Sequence, residues 1–370
     1  MPIRYQNLGS TKRISEIVFA GSHDASITSG SSNAQTQDLD ILGQAEAGVR
    51  LFDLRILAKG SDKSGASLVG YHGSGGGKNT FQGTSLHTGG AYNVKANQSM
   101  KLGTFGLKLS GMLQQAKRFV EETGEFLIFK FDKSTNYKLI ADYCTSILGN
   151  AIYKPTGIEF GKLQLDNLAQ KVVCVFNDAA MRDELRNIPA ASGIIGFRNL
   201  RGDGNTVKVY DPEYPGLQYF GKGGTSVANI FSTKAGKRKE NEAKQKKMLM
   251  AMAQVEDDFA ANALGMMYWT STGLLESIRE RNKVMWSTTG VRRMQELWTG
   301  GLEEAVRIQC GRDRIRTLTH NNVTRVKAYF PNIVMIDFAD PGKCQTIYDL
   351  NTVVDQKLAE AYNQYMGITA

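Results

Sequence analysis

Short apolar runs of strand length recur along the chain, separated by stretches whose apolar residues return every three or four positions. The runs are Ile17 to Ala20, Val49 to Ile56, Leu68 to Tyr71, Phe126 to Phe131, Val172 to Phe176, Ile194 to Phe197, Val207 to Tyr210, Met266 to Thr270 and Ile333 to Phe338. Leu109, Met112, Leu113, Ala116 and Val120 keep helical spacing before the Phe126 run, and Tyr137, Ile140, Cys144, Ile147 and Leu148 keep it after. This alternation predicts an α/β protein, either a barrel or a layered sheet. No repeat of 20 to 50 residues and no Pro-rich linker divides the chain, and 370 residues suit one large domain.

Gly60 to Gly103 departs from the pattern. It is dense in Gly, Ser, Thr and Asn and predicts long loops around one short strand. Within it GSGGGKNT resembles a phosphate loop, but His72 stands where the first Gly is required and Lys78 is followed by Asn79 rather than Ser or Thr. A nucleotide is therefore not expected as a ligand.

Charge narrows the partners. Lys and Arg number 45 against 36 Asp and Glu, a formal +9, which favours phospholipid surfaces, phosphorylated substrates or nucleic acid without choosing among them. Lys234 to Lys247 holds seven basic residues against Glu240 and Glu242, and pairs Glu240 with Lys244 and Glu242 with Lys246 at helical spacing. Two readings stand: the solvated face of an outer helix with its Met-rich continuation packing inward, or a basic surface that holds an anionic membrane. Cys144, Cys174, Cys310 and Cys344 lack metal or redox spacing and read as free, mostly buried thiols. MPIRYQNLGSTKR lacks the apolar stretch of a signal peptide and no window is long enough for a membrane span, so the expectation is a soluble protein, peripheral to membranes, secreted by a specialised route or cytoplasmic.

Candidate chemistry lies in the ends of the apolar runs. In a barrel of parallel strands the C-terminal ends converge on one mouth. His23 and Asp24 follow the first run, Asp53 and Arg55 alternate with Leu54 on the second, and His72 ends the third. Lys130 and Asp132 share a face at the end of EFLIFKF, and Asp337 lies near the end of IVMIDFAD. Charges inside apolar strands cost several kcal/mol unless paired, so these are either a structural salt-bridge network or a site. Two imidazoles titrating near neutral pH supply a base and an acid, and a guanidinium stabilises phosphoryl oxygens. His87 and His320 sit among Thr, Asn and Gly and read as loop residues.

GSHDAS, GVRLFDLRI, the Y-H-G segment, EFLIFKFDK and NIVMIDFAD, in this order, resemble the catalytic X domain of bacterial phosphatidylinositol-specific phospholipase C. The resemblance spans about residues 17–340, with a C-terminal helix expected at about 345–366, and implies a single imperfect TIM-like (β/α)8 barrel. It implies cleavage of the glycerol-side phosphodiester of phosphatidylinositol, giving diacylglycerol and inositol 1,2-cyclic phosphate, which water opens more slowly. His23 would be the general base toward the inositol 2-hydroxyl, with Asp337 stabilising its imidazolium. His72 would be the general acid, assisted by Asp24; Arg55 would bind the phosphate and Asp53 would orient these groups. Lys130, Asp132, Asp211 and Tyr214 would bind the head group, the last two from VYDPEY, with Lys133 the alternative to Lys130 as the inositol-binding lysine. KVVCVFND should by analogy end in an Arg, and ends in Asn177 and Asp178 instead.

Calcium-using members of the wider family carry an Asn after the first His and an acid on the following strand. Here Asp24 and Arg55 stand in those places, which implies a metal-free enzyme without cofactor, although Asp132 resembles a metal-ligand position. The implied partner is an anionic phospholipid surface rather than nucleic acid, and the expected state is a monomer. The alternatives are a related phosphodiesterase for another head group or a soluble glycerophosphodiester, and a lipid-binding module without turnover.

Overall fold

The computed structural model describes residues 2–59, 67–73, 79–84, 91–96, 103–201, 208–222, 233–253, 262–271, 277–296, 317–320, 323–326 and 331–353. In chain order its strands are β1 (Phe19–Ser22), β2 (Val49–Leu54), β3 (Ile56–Lys59), β4 (Ser67–Gly73), β5 (Asn79–Thr84), β6 (Ala91–Ala96), β7 (Gly103–Lys108), β8 (Leu127–Phe131), β9 (Val172–Asn177), β10 (Ile194–Asn199), β11 (Leu217–Lys222), β12 (Leu264–Tyr268), β13 (Thr317–His320), β14 (Val323–Val326) and β15 (Ile333–Ile336).

Eight of them close into a barrel in the order β1-β15-β12-β11-β10-β9-β8-β2, every neighbouring pair parallel. Each of these strands is buried along nearly its whole described length, as parallel strands covered on both faces require. The helix Leu109–Thr123 shows how the outer layer forms. Leu109, Met112, Leu113, Ala116, Phe119 and Val120 fall on one buried face, and Gly124 ends the helix in the left-handed conformation at φ 74°. The helices Tyr137–Leu148, Lys234–Ala253 and Pro341–Tyr348 follow β8, β11 and β15. Among the described residues no helix joins β10 to β11, so the barrel is imperfect.

Several expectations are corrected. Gly60 to Gly103 is not loops around one strand: it contributes β4, β5 and β6 to a five-stranded sheet of order β5-β6-β3-β4-β7. β3 continues from β2 with only Arg55 between them, so one extended segment serves first the barrel and then the sheet. Lys208 to Tyr210 form no strand, and the barrel strand in that region is β11, LQYFGK. His320 ends the hairpin strand β13 rather than lying in a loop. The C-terminal helix begins at Pro341, capped by Asp340, whose side chain accepts from Lys343 N; residues 354–366 lie outside the described ones. The helix over Lys234–Ala253 is observed, but Glu242 pairs with Arg238 and Arg293 rather than with Lys246. Cys144, Cys174 and Cys344 are free and buried, and Cys310 lies outside the described residues.

Where β2 and β8 begin, Arg50 and Glu125 form a fully buried ion pair, Nε to Oε2 at 3.0 Å. Arg50 also donates to the carbonyls of Ile3, Ala45 and Val49 and stacks against Tyr5 and Phe119, each ring 5.0 Å away. Glu125 accepts Gln6 N with its other oxygen. The pair ties the N-terminal segment to the floor of the barrel, away from the strand ends that carry the site.

Candidate active site

His23 follows β1 directly and Asp337 follows β15, its parallel neighbour; the last ladder bond runs from His23 N to Ile336 O at 3.0 Å. That register sets the two side chains together, His23 Nδ1 being 2.9 Å from Asp337 Oδ1. A proton on Nδ1 then donates to the carboxylate and leaves Nε2 to exchange protons.

His72 reaches the same centre from outside the barrel. It lies on β4 of the five-stranded sheet, not on the third barrel strand, which is β8. Two glycines permit the approach. A Cβ on Gly70 would stand 2.1 Å from Ser26 Oγ, and one on Gly106 would stand 2.0 Å from Ser26 O, so only glycine lets β4 and β7 close on the loop after His23.

Asp24 joins the two imidazoles. Its Oδ2 lies 3.5 Å from His23 Nε2 and 3.5 Å from His72 Nε2, while Oδ1 is 3.0 Å from Arg55 Nε. These are ion pairs rather than aligned hydrogen bonds. Asp24 is only 1% exposed and its backbone is left-handed at φ 43°. The structure thus brings together two imidazoles, a carboxylate between them and a guanidinium.

Electrostatics sort the histidines. Burial opposes charge on His23, but Asp24 and then Asp337 outweigh it and push its pKa up to about 9. Burial also acts on His72, where Asp24 only partly compensates, so its pKa falls below the ordinary histidine value. For Asp24, burial is overcome by His23, Arg55 and His72, and the carboxyl is held below the usual range.

A second pair borders the first. Lys130 Nζ is 2.8 Å from Asp53 Oδ1 and 3.6 Å from Asp132 Oδ2, and although fully buried it stays charged because desolvation is outweighed by Asp53 together with Tyr219, Tyr268 and Asp132. The ring of Phe197 lies 4.5 Å from this ammonium, and Tyr219 and Tyr268 border it as well. The edge of His23 meets Tyr268 at 6.1 Å between centroids. Asp132 accepts weakly from Asn177 Nδ2 at 3.4 Å. Phe197, Tyr219 and Tyr268 were not expected site residues; alternation of Phe197 with Ile195 was the available signal.

Asp211 and Tyr214 are not brought to this centre. Asp211 Oδ2 binds Arg198 Nη1 at 2.9 Å, and the Arg198 guanidinium stacks 3.8 Å from the Tyr214 ring. Arg198 also pairs with Asp178. Tyr214 packs against Gly196, and Gly196 and Arg198 share the face of β10 opposite to Phe197, so this cluster lies on the far side of the strand from Lys130. The one-residue change of face explains why the sequence did not reveal it.

Atoms of His23, Asp24 and Asp53 lie within 4.8 Å of one another, a spacing compatible with a metal ion. Calcium takes six to eight oxygens. Here Arg55 already pairs with Asp24 and Lys130 with Asp53, so this donor set does not fit a hard divalent cation.

No family model and no curated protein matches the chain. Solved structures similar to it include a phosphatidylinositol-specific phospholipase C from Listeria monocytogenes, at 14% identity and TM-score 0.45 over 92% of this chain and 95% of that one. A pentafluoro-Phe-containing phosphatidylinositol-specific phospholipase C from Staphylococcus aureus gives 15% and 0.47, over 93% and 95%. A calcium-dependent phosphoinositol-specific phospholipase C from a Gram-negative bacterium, Pseudomonas sp, gives 13% and 0.38, over 71% and 85%. At such identities and TM-scores the likeness adds no weight to any assignment of chemistry, which rests on the side chains.

Proposed function

We propose that the chain is a phospholipase C-type phosphodiesterase that cleaves phosphatidylinositol, or a close relative, at membrane surfaces without a metal. The observation that carries this is the shared carboxylate oxygen: Asp24 Oδ2 lies 3.5 Å from both imidazole Nε2 atoms, so the two rings can flank one phosphoryl group. A binding module has no use for a separate acid and base.

His23 Nε2 takes the proton of the head-group hydroxyl as that oxygen attacks phosphorus. Asp337, 2.9 Å from Nδ1, stabilises the imidazolium that forms. His72 donates its Nε2 proton to the glycerol oxygen as the P–O bond breaks, so the site gains one proton and loses one. Arg55, held through Nε by Asp24, presents its other N–H groups to the non-bridging oxygens, where charge develops. Asp53 and Lys130 neutralise each other and shape the head-group side of the site. The products are diacylglycerol and a cyclic phosphate of the head group, which water opens by the reverse use of the two rings.

Mixed phospholipid vesicles test the reading. Phosphorus NMR of the water-soluble product should show inositol 1,2-cyclic phosphate; absence of any released phosphate ester from every lipid would overturn it. One observation favours a second reading, a sister enzyme for another hydroxylated head group. Asp211 and Tyr214 are engaged by Arg198, and the wall beside Lys130 is aromatic. Release of a different cyclic ester from the same vesicles would distinguish it.

A further inference from the structure

The segment Thr36–Gln37 lies outside every strand and helix, yet both residues are fully buried. Their bonds converge on the two strand ends that carry His23 and Asp337. Gln37 Nε2 donates to His23 O at 2.9 Å and to Ile336 O at 3.3 Å, and its Oε1 accepts Ala339 N at 2.9 Å. Thr36 Oγ1 donates to Asp24 O at 2.8 Å, and Thr36 O accepts Phe338 N at 2.7 Å. The segment is itself anchored, both backbone N–H groups donating to Ile27 O.

The places where these bonds land are telling. Asp24 and Phe338 are both non-glycine residues in the left-handed region, at φ 43° and φ 49°. Such residues persist only where surrounding contacts fix them. At each strand end the chain makes this unfavourable turn beside a reacting side chain, and one two-residue segment bonds both turns. Every acceptor and donor it uses is backbone, so it acts on where the side chains point and not on their charge.

We propose that Gln37, with Thr36, is a positioning residue: it clasps the ends of β1 and β15 together and so holds His23 against Asp337. The chemistry assigned to those two residues rests on the proposed function, but the positioning itself does not. Groups facing the His23 ring are Asp24, Asp337, Arg55, His72 and Tyr268, and none of them is altered by replacing Gln37.

Gln37→Met keeps length and removes all three side-chain bonds. NMR titration of the His23 ring, which needs no substrate, should then give a midpoint at least one pH unit below that of the unaltered protein. Turnover should fall at least tenfold in kcat with KM changed less than twofold. A moved midpoint without turnover in either protein supports the clasp and counts against the phosphodiesterase reading instead. An unchanged midpoint, whatever the rate, overturns the clasp. If Gln37→Met does not fold, Thr36→Val, which removes one hydroxyl at nearly constant volume, carries the same titration with the same criterion of a lowered midpoint, here by at least half a pH unit.

Discussion

Arg55 stands 3.0 Å from Asp24 through Nε, so one oxygen of the buried carboxylate is neutralised by a fixed cation while the other faces both imidazoles. In the proposed function this guanidinium does the work on the phosphate that a divalent cation would otherwise do, and a chelator would not remove it.

Activity on vesicles is therefore expected to survive excess EDTA. Arg55→Ala should lower kcat by about 100-fold or more, in the range of a lost oxyanion donor, and added calcium should not restore it. Loss in EDTA that calcium reverses would assign the site to metal chemistry.

The proposed function gives the two histidines separable proton transfers. His23→Ala and His72→Ala should each cost about 100-fold or more in turnover, with circular dichroism and thermal unfolding little changed. A variant that keeps more than a tenth of the normal rate removes that ring from the mechanism.

Rate should follow a bell-shaped curve whose alkaline limb lies near pH 9. The base requires neutral His23, whose fraction rises up to its pKa of about 9, and the acid requires protonated His72, whose fraction falls above a pKa lowered from 6.5. Their product is flat between the two values and declines outside them, with only a small fraction of enzyme in the active form. Asp337→Asn removes one carboxylate that raises His23, so the alkaline limb should move down by about 1 pH unit or more. An alkaline limb unchanged in that variant would contradict the assignment of Asp337.

Stability and catalysis should separate at the barrel floor. Glu125→Ala leaves Arg50 charged and fully buried, which costs about 3–5 kcal/mol for a broken buried pair. Denaturant unfolding should register that loss while KM stays unchanged, because the pair lies at the end of the barrel away from His23.

Much of this was legible before the fold was known, because charged residues at the ends of apolar runs are informative. Asp53, Lys130 and Asp337 stood out for that reason, and β1, β2, β8, β9, β10, β12 and β15 followed from apolar runs. β11 did not, since Gln218, Gly221 and Lys222 interrupt its pattern. NTFQGT and AYNVKA read as loops because Gly and Asn are poor strand formers in isolation, and only pairing with one another makes them β5 and β6. The role of Gln37 was invisible for a different cause: it bonds backbone atoms from residues 23 to 339, contacts that no local pattern encodes.

Arg55 is the seam at which a barrel strand passes into the five-stranded sheet. In the proposed function the base, His23, is carried by the barrel, while the proton donor, His72, is carried by β4 of the sheet. On that reading the sheet is where leaving-group preference would be retuned, by a replacement that keeps the close packing of β4 and β7 on Ser26 beside the attacking side.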